Sequence, residues 1–238
     1  MIGARPSEGK TSFALQLARD FADQNIPTMF LSLEMDEESL LERMYCNMME
    51  EHNYKLRKGG YVNQKMDIFT KYLRTVKLII TCGVGKNWNE VLEAVNEVLP
   101  RPKVIILDYI QVVRMCRKDN RESIDEYLTE VKRIAIEQDL CFIVCSQINR
   151  GAAHAVGNMP SLAMLKGSGA LEEAADKVLL LHWPYRYDKE ADKGAYKVIV
   201  AKNRNGATGE HDIRFEPEYY LFSEKKLSDT IPHREGIN

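Results

Sequence analysis

Short apolar runs alternate along this chain with stretches whose apolar residues return every three or four positions. That alternation predicts a parallel α/β sheet with helices packed on it. Residues 27–33, 78–81, 104–107, 141–146 and 178–181 read as strands. Several are near-continuous apolar runs, as strands buried on both faces require. Between them, Leu40, Leu41, Met44 and Met48 form one helical face, and Val91, Leu92, Val95 and Val98 a second. Ile124, Leu128, Val131, Ile134 and Ala135 form a third. Asp36 is placed to cap the helix after Met35, and Asn87 with Glu90 reads as an N-cap with its capping-box partner. The period changes near the carboxyl end: 196–202 and 211–215 are extended patterns around Asn205-Gly206 and Thr208-Gly209, which predicts a β-hairpin. Residues 150–166 and 184–194 read as long loops. One domain is expected over 1–226 and a flexible tail over 227–238, where no periodic pattern survives.

Composition narrows this picture only slightly. At 238 residues, 45% hydrophobic and 29% charged, the chain suits one well-buried α/β domain. No apolar run approaches the ~18 residues of a membrane span. The polar, turn-rich segment after Met1 is no signal peptide, so a cytoplasmic protein is expected. A formal charge of -2 means that any nucleic acid must be held by a local strip or by backbone N–H groups. Of the five cysteines, Cys141 and Cys145 fall in an apolar run and are expected to be buried; no pair has zinc-site spacing.

The chemistry begins at residues 4–11. Ala4-Arg5-Pro6-Ser7-Glu8-Gly9-Lys10-Thr11 fits the phosphate-loop pattern with Ala in the first glycine position. A small, flexible loop lets successive N–H groups point at phosphate oxygens, and the helix opening at Thr11 and Ser12 adds its positive dipole end. Lys10 is then placed for the β- and γ-phosphates of ATP and the Thr11 hydroxyl for Mg²⁺. Only Met1 and Ile2 precede the loop, where a buried strand normally stands. The expectation is a fragment of a longer protein, or a chain whose first strand is not represented.

A second carboxylate is needed for the Mg²⁺ shell, and Val104-Ile105-Ile106-Leu107-Asp108 supplies a strand ending in an acid, the Walker B arrangement. Glu34 stands at the end of another strand, where functional groups gather in an open parallel sheet. It is either the general base for water or a first-turn helix acid beside Asp36, Glu37 and Glu38; the residues alone leave both open.

Five blocks, in order, resemble the DnaB-family replicative helicases. These are residues 3–11, the Leu31-Ser32-Leu33-Glu34-Met35 segment, Leu107-Asp108-Tyr109-Ile110-Gln111, Ser146-Gln147-Ile148-Asn149-Arg150, and Ala201-Lys202-Asn203-Arg204-Asn205-Gly206 followed by Thr208-Gly209. The resemblance covers residues 3 to about 218. It implies a RecA-like P-loop ATPase core with a mostly parallel sheet, flanking helices and a C-terminal β-hairpin. It implies that Glu34 is the catalytic base, Asp108 the Mg²⁺ carboxylate and Gln147 a γ-phosphate sensor. Lys202 and Arg204 would enter a neighbouring subunit's site; without the resemblance they read as a solvated basic hairpin. Arg150, Lys166, Gly167, Ser168 and Gly169 fall where the family lines its DNA channel. A homo-hexamer moving on single-stranded DNA, with primase and a helicase loader as partners, follows from the same resemblance.

Some positions depart from the family pattern. Glu8 puts an acid where relatives carry an apolar residue such as Met, and unless it points to solvent it opposes phosphate. Lys166-Gly167 replaces an Arg-Glu pair. The family's amino-terminal domain and linker helix have no counterpart in this sequence. Two alternatives share many of these features: a RecA-like recombination or repair ATPase, and a helicase-derived ATP-gated loader or interaction module. The Ser-Leu-Glu-Met block and the Lys-Asn-Arg hairpin weigh against the first, and the full hydrolysis set against the second.

Overall fold

The computed structural model describes residues 1–60, 63–84, 88–98, 101–110, 120–148, 159–165 and 172–224. Its frame is a nine-stranded sheet: β1 (Ile2–Ala4), β2 (Thr28–Ser32), β3 (Leu78–Cys82), β4 (Val104–Asp108), β5 (Cys141–Gln147), β6 (Lys177–His182), β7 (Ala195–Asn203), β8 (Gly209–Glu216) and β9 (Leu221–Glu224). The strands lie in the order β3-β2-β4-β5-β1-β6-β7-β8-β9. From β3 to β6 every pairing is parallel; β7, β8 and β9 then add antiparallel. Six helices accompany them among the described residues: α1 (Lys10–Asp23), α2 (Glu37–Met49), α3 (Asn53–Arg57), α4 (Asn63–Thr75), α5 (Trp88–Glu97) and α6 (Asn120–Glu137).

Strands β2 and β4 are buried along their whole length, which explains the continuous apolar stretches Met29-Phe30-Leu31 and Val104-Ile105-Ile106-Leu107 within them. Their period of two divides the core into two layers. Phe30 and Ile106 face α1, α2 and the β8–β9 aromatics, whereas Met29, Leu31, Ile105 and Leu107 face Val91, Val95, Leu128 and Val131 of α5 and α6. Fully burying a side chain of this size stabilises the fold by roughly 1.5–3 kcal/mol, so both layers hold the sheet between them. Asp36 caps α2 as expected, its Oδ1 accepting the Ser39 N–H at 2.8 Å.

Three expectations change. The strand before the phosphate loop is present as β1, only three residues long and buried between β5 and β6. Cys141 is exposed, because it is the first residue of β5, at the amino-terminal end of a central strand; Cys145, four residues on, is buried. The hairpin is extended by a third strand, β9, whose Phe222 packs back on α1. Asn87, most of the 150–166 loop and the 227–238 tail lie outside the described residues.

Candidate active site

The carboxyl ends of the parallel strands converge on the loop between β1 and α1. Ser7 and Gly9 take positive φ values, 65° and 85°, and so curl the chain into a tight turn. At Gly9 a β-carbon would lie 3.2 Å from Phe222 Cζ and 3.3 Å from Phe215 Cζ, so both backbone conformation and space require glycine. The stacked Phe215 and Phe222 rings, 4.3 Å apart, therefore press on the loop from the antiparallel end of the sheet. Gln16 Nε2 donates to the Phe222 carbonyl and Gln16 Oε1 accepts its N–H, which clamps β9 to α1.

Above this turn lies a cavity of about 490 Å³, within the size range of small-ligand sites. Ala4, Arg5, Pro6, Ser7, Gly9, Lys10 and Thr11 form one wall; Glu34, Met35, Arg43, Tyr109 and Gln147 form the other. Ser12 stands apart from it: its hydroxyl is buried in α1 and accepts from Arg43 Nη1 at 3.4 Å. Glu34 lies two residues past the end of β2 and is exposed on the cavity rim. Gln147 ends β5, in register with Ala4 at the start of the loop.

Asp108 ends β4 and is completely buried. The Lys10 ammonium donates to its Oδ1, and Lys10 also lies 4.7 Å from the centre of the Tyr109 ring. Burial works against the Lys10 charge, but the Asp108 carboxylate that accepts its hydrogen bond holds the proton on Lys10, whose pKa is raised. Cys145 is neutral near pH 7, because burial beside Asp108 pushes its thiol up to about 12. The second carboxylate oxygen, Asp108 Oδ2, is buried without a hydrogen-bond partner among the described residues. A buried orphan carboxylate oxygen paired through its other oxygen with Lys10, the residue before the Thr11 hydroxyl, gives a hard oxygen donor set that fits Mg²⁺.

Glu8 departs from expectation. It points neither to solvent nor into the cavity: at 1% exposure its side chain is turned beneath the loop. There Oε2 accepts the Arg5 N–H at 3.0 Å and Oε1 accepts the Tyr187 hydroxyl at 2.8 Å.

Lys202 and Arg204 lie at the other edge of the sheet. Arg204 Nη1 pairs with Asp176 Oδ1 at 2.9 Å, its Nη2 donates to the Glu173 carbonyl, and Lys202 donates to the Glu172 carbonyl. These partners precede β6, whereas the phosphate loop follows the carboxyl end of its neighbour β1. β7 runs nine residues from the loop side to Arg204, about 30 Å at strand rise. A subunit's own Arg204 cannot close its own cavity. Arg150, Lys166, Gly167, Ser168 and Gly169 lie outside the described residues.

Arg43 and Tyr109 were not singled out from the sequence. A signal existed for Arg43, the only basic position in α2, a helix that carries Glu37, Glu38 and Glu42.

A family model described as the DnaB-like helicase C-terminal domain matches residues 1–224. The replicative DNA helicase DnaC of Bacillus subtilis is 31% identical over 232 residues, covering 93% of this chain and 51% of that protein. The replicative DNA helicase DnaB of Leifsonia xyli is 29% identical over 233 residues, covering 94% and 51%. A solved DnaB-like replicative helicase, described with its interactions with primase, superposes with a TM-score of 0.85 at 26% identity, covering 94% of this chain and 57% of that one. The chain thus spans about half the length of the curated relatives it matches. The nine-stranded mixed sheet is the RecA-like arrangement these relatives share.

Proposed function

The chain belongs to the family of DnaB-like helicase C-terminal domains, and from that premise we propose that it hydrolyses ATP to drive movement along single-stranded DNA. The observation that carries this reading is the convergence of Lys10, Glu34 and Gln147, from three separate elements, on one cavity walled by a phosphate loop, with buried Asp108 of a fourth element paired to Lys10 behind it. Loop N–H groups and the α1 amino terminus receive the phosphates, and Lys10 neutralises the β/γ charge. Thr11 and Asp108 would hold Mg²⁺, which when bound supplies charge neutralisation between the phosphates. Glu34, on the rim, orients and deprotonates the attacking water. Gln147, at the head of β5, contacts the γ-phosphate and carries its loss into the segment that follows.

Position supports the remaining roles. Arg204 and Lys202 face away from their own cavity, in keeping with the proposal that they serve a neighbour's, offsetting charge that develops on the transferred phosphoryl group. A closed ring satisfies this head-to-tail geometry at every interface, and a homo-hexamer is the ring we propose. The loop from Arg150 to Lys166 begins two residues after Ile148, which bridges to Leu165; it is the segment proposed to contact DNA, together with Gly167, Ser168 and Gly169. Primase and a loader are proposed as partners by kinship.

The test is ATP turnover by the assembled chain with and without single-stranded DNA, alongside displacement of a strand from a forked duplex. Turnover stimulated by DNA and strand displacement are expected. ATP turnover indifferent to DNA, with no displacement, contradicts the motor reading.

A further inference from the structure

The least expected feature of the site is an acid inside a loop built to receive phosphate. The Glu8 carboxylate lies two positions before Lys10, and a carboxylate facing the cavity would oppose the ligand's charge. What keeps it beneath the loop comes from a different part of the chain. Residue Tyr187 follows a short 3₁₀ turn, Pro184–Arg186, in the connection between β6 and β7. Its hydroxyl donates to Glu8 Oε1, while the loop's own Arg5 N–H occupies Oε2.

The tyrosine is itself held in place. His182, the last residue of β6, stacks on its ring with centroids 5.6 Å apart and planes 17° from parallel. The Arg5 guanidinium lies 5.0 Å from the centre of the same Tyr187 ring. His182 Nδ1 is 3.7 Å from Glu8 Oε1, too far for a hydrogen bond, and has no hydrogen-bond partner among the described residues. Tyr187 is thus the side-chain donor to Glu8 at hydrogen-bond distance among the described residues. Burial raises the Tyr187 pKa, so the hydroxyl keeps its proton near neutrality. A second tyrosine, Tyr196, donates to the Glu8 carbonyl and fixes the backbone from the same side.

We propose that Tyr187 is a positioning residue for nucleotide binding, which holds the Glu8 carboxylate under the phosphate loop and so keeps its charge out of the cavity. The inference rests on the nucleotide-binding reading above. Without the hydroxyl, a buried carboxylate oxygen is left unsatisfied, and the side chain regains hydration only by turning outward, toward the phosphates. The β6–β7 connection thereby sets the electrostatics of a loop some 180 residues earlier in the chain.

The test is equilibrium titration of the full chain with a fluorescent ADP analogue. Tyr187→Phe should weaken binding at least about tenfold, the scale of a lost hydrogen bond to a charged group. Removing the charge should reverse that loss: Glu8→Met or Glu8→Gln in the Tyr187→Phe background should recover most of the affinity. A merely destabilising substitution would not be rescued by a second change in the loop, and two different Glu8 replacements guard against one that folds poorly. Tyr187→Phe binding like wild type, or double variants as weak as the single one, overturns the proposal. Failure of the wild-type chain to bind the analogue would instead remove the nucleotide reading itself.

Discussion

Replacing Lys10 should remove more than a phosphate contact. Its ammonium and the Asp108 carboxylate are 11% and 1% exposed and form an ion pair between α1 and β4. Lys10→Met leaves Asp108 buried, with one oxygen newly bare and the other already unpartnered. Breaking one side of a buried pair costs about 3–5 kcal/mol. The 490 Å³ cavity beside Lys10 admits water, which favours the lower end, about 3 kcal/mol. For a domain of this size each kcal/mol moves Tm by roughly 2–4 °C, so Lys10→Met should melt roughly 6–12 °C below wild type by circular dichroism. The double variant Lys10→Met/Asp108→Asn carries no uncompensated charge and should recover most of that loss. Neither variant should bind an ADP analogue in titration, because both lack the β/γ-phosphate cation. A Lys10→Met protein melting within about 2 °C of wild type would refute the reasoning, as would a double variant less stable than either single one.

Other substitutions probe separate links of the account. Glu34→Gln should bind nucleotide normally but hydrolyse ATP at least ~100-fold more slowly in a phosphate-release assay; normal turnover would reduce Glu34 to a helix-start acid. Gly9→Ala should cost about 1–3 kcal/mol, read as a lowered denaturant midpoint, because φ 85° strains any L side chain and the Phe215 and Phe222 rings must shift to admit a methyl. Glu51 is held at about 2 by hydrogen bonds from Lys65 and Lys55, against an ordinary 4.5. Its contribution is full above pH 4.5 and lost as pH falls toward 2, so the Tm gap between wild type and Glu51→Gln should be wide at pH 7 and narrow at pH 3. A gap equal at both pH values would contradict that assignment.

Where burial dictates the residue type, the chain announces its structure. The apolar centres of β2 and β4 read as strands covered on both faces, and Asp36 before Glu37-Glu38 as a helix cap. Asp108 was legible as the acid that ends such a strand, whereas Glu34, two residues past β2, gained a role only from the family resemblance. Direction was less legible. Nothing in Ser7-Glu8-Gly9 states which side of a tight turn the Glu8 side chain takes; that depends on Tyr187, a residue of a loop without periodicity. Cys141 shares its apolar run with Cys145, but it is the first residue of its strand, and apolarity does not mark where a strand emerges at the surface. β1 escaped notice because three residues cannot display a period; its partners β5 and β6 define it. The distance of Arg204 from its own cavity emerges only from topology, since β7 must run antiparallel to β6 to carry it to the opposite edge.

That opposite-edge placement is the claim on which the account turns: each site should be completed by Arg204 of a neighbour. An arginine supplied in trans is worth roughly 10³–10⁵ in turnover, so Arg204→Ala and Glu34→Gln should each be nearly inactive when pure. Mixed under assembling conditions, they form some interfaces that join an intact Glu34 to an intact Arg204. Single-turnover ATP hydrolysis, measured across a titration of the two variants with cross-linking to show mixed assembly, reports each such interface even in a ring that cannot advance. Activity that returns in the mixtures and peaks near equal proportions is the predicted result. Mixed assemblies that hydrolyse no more ATP than either variant alone would contradict it.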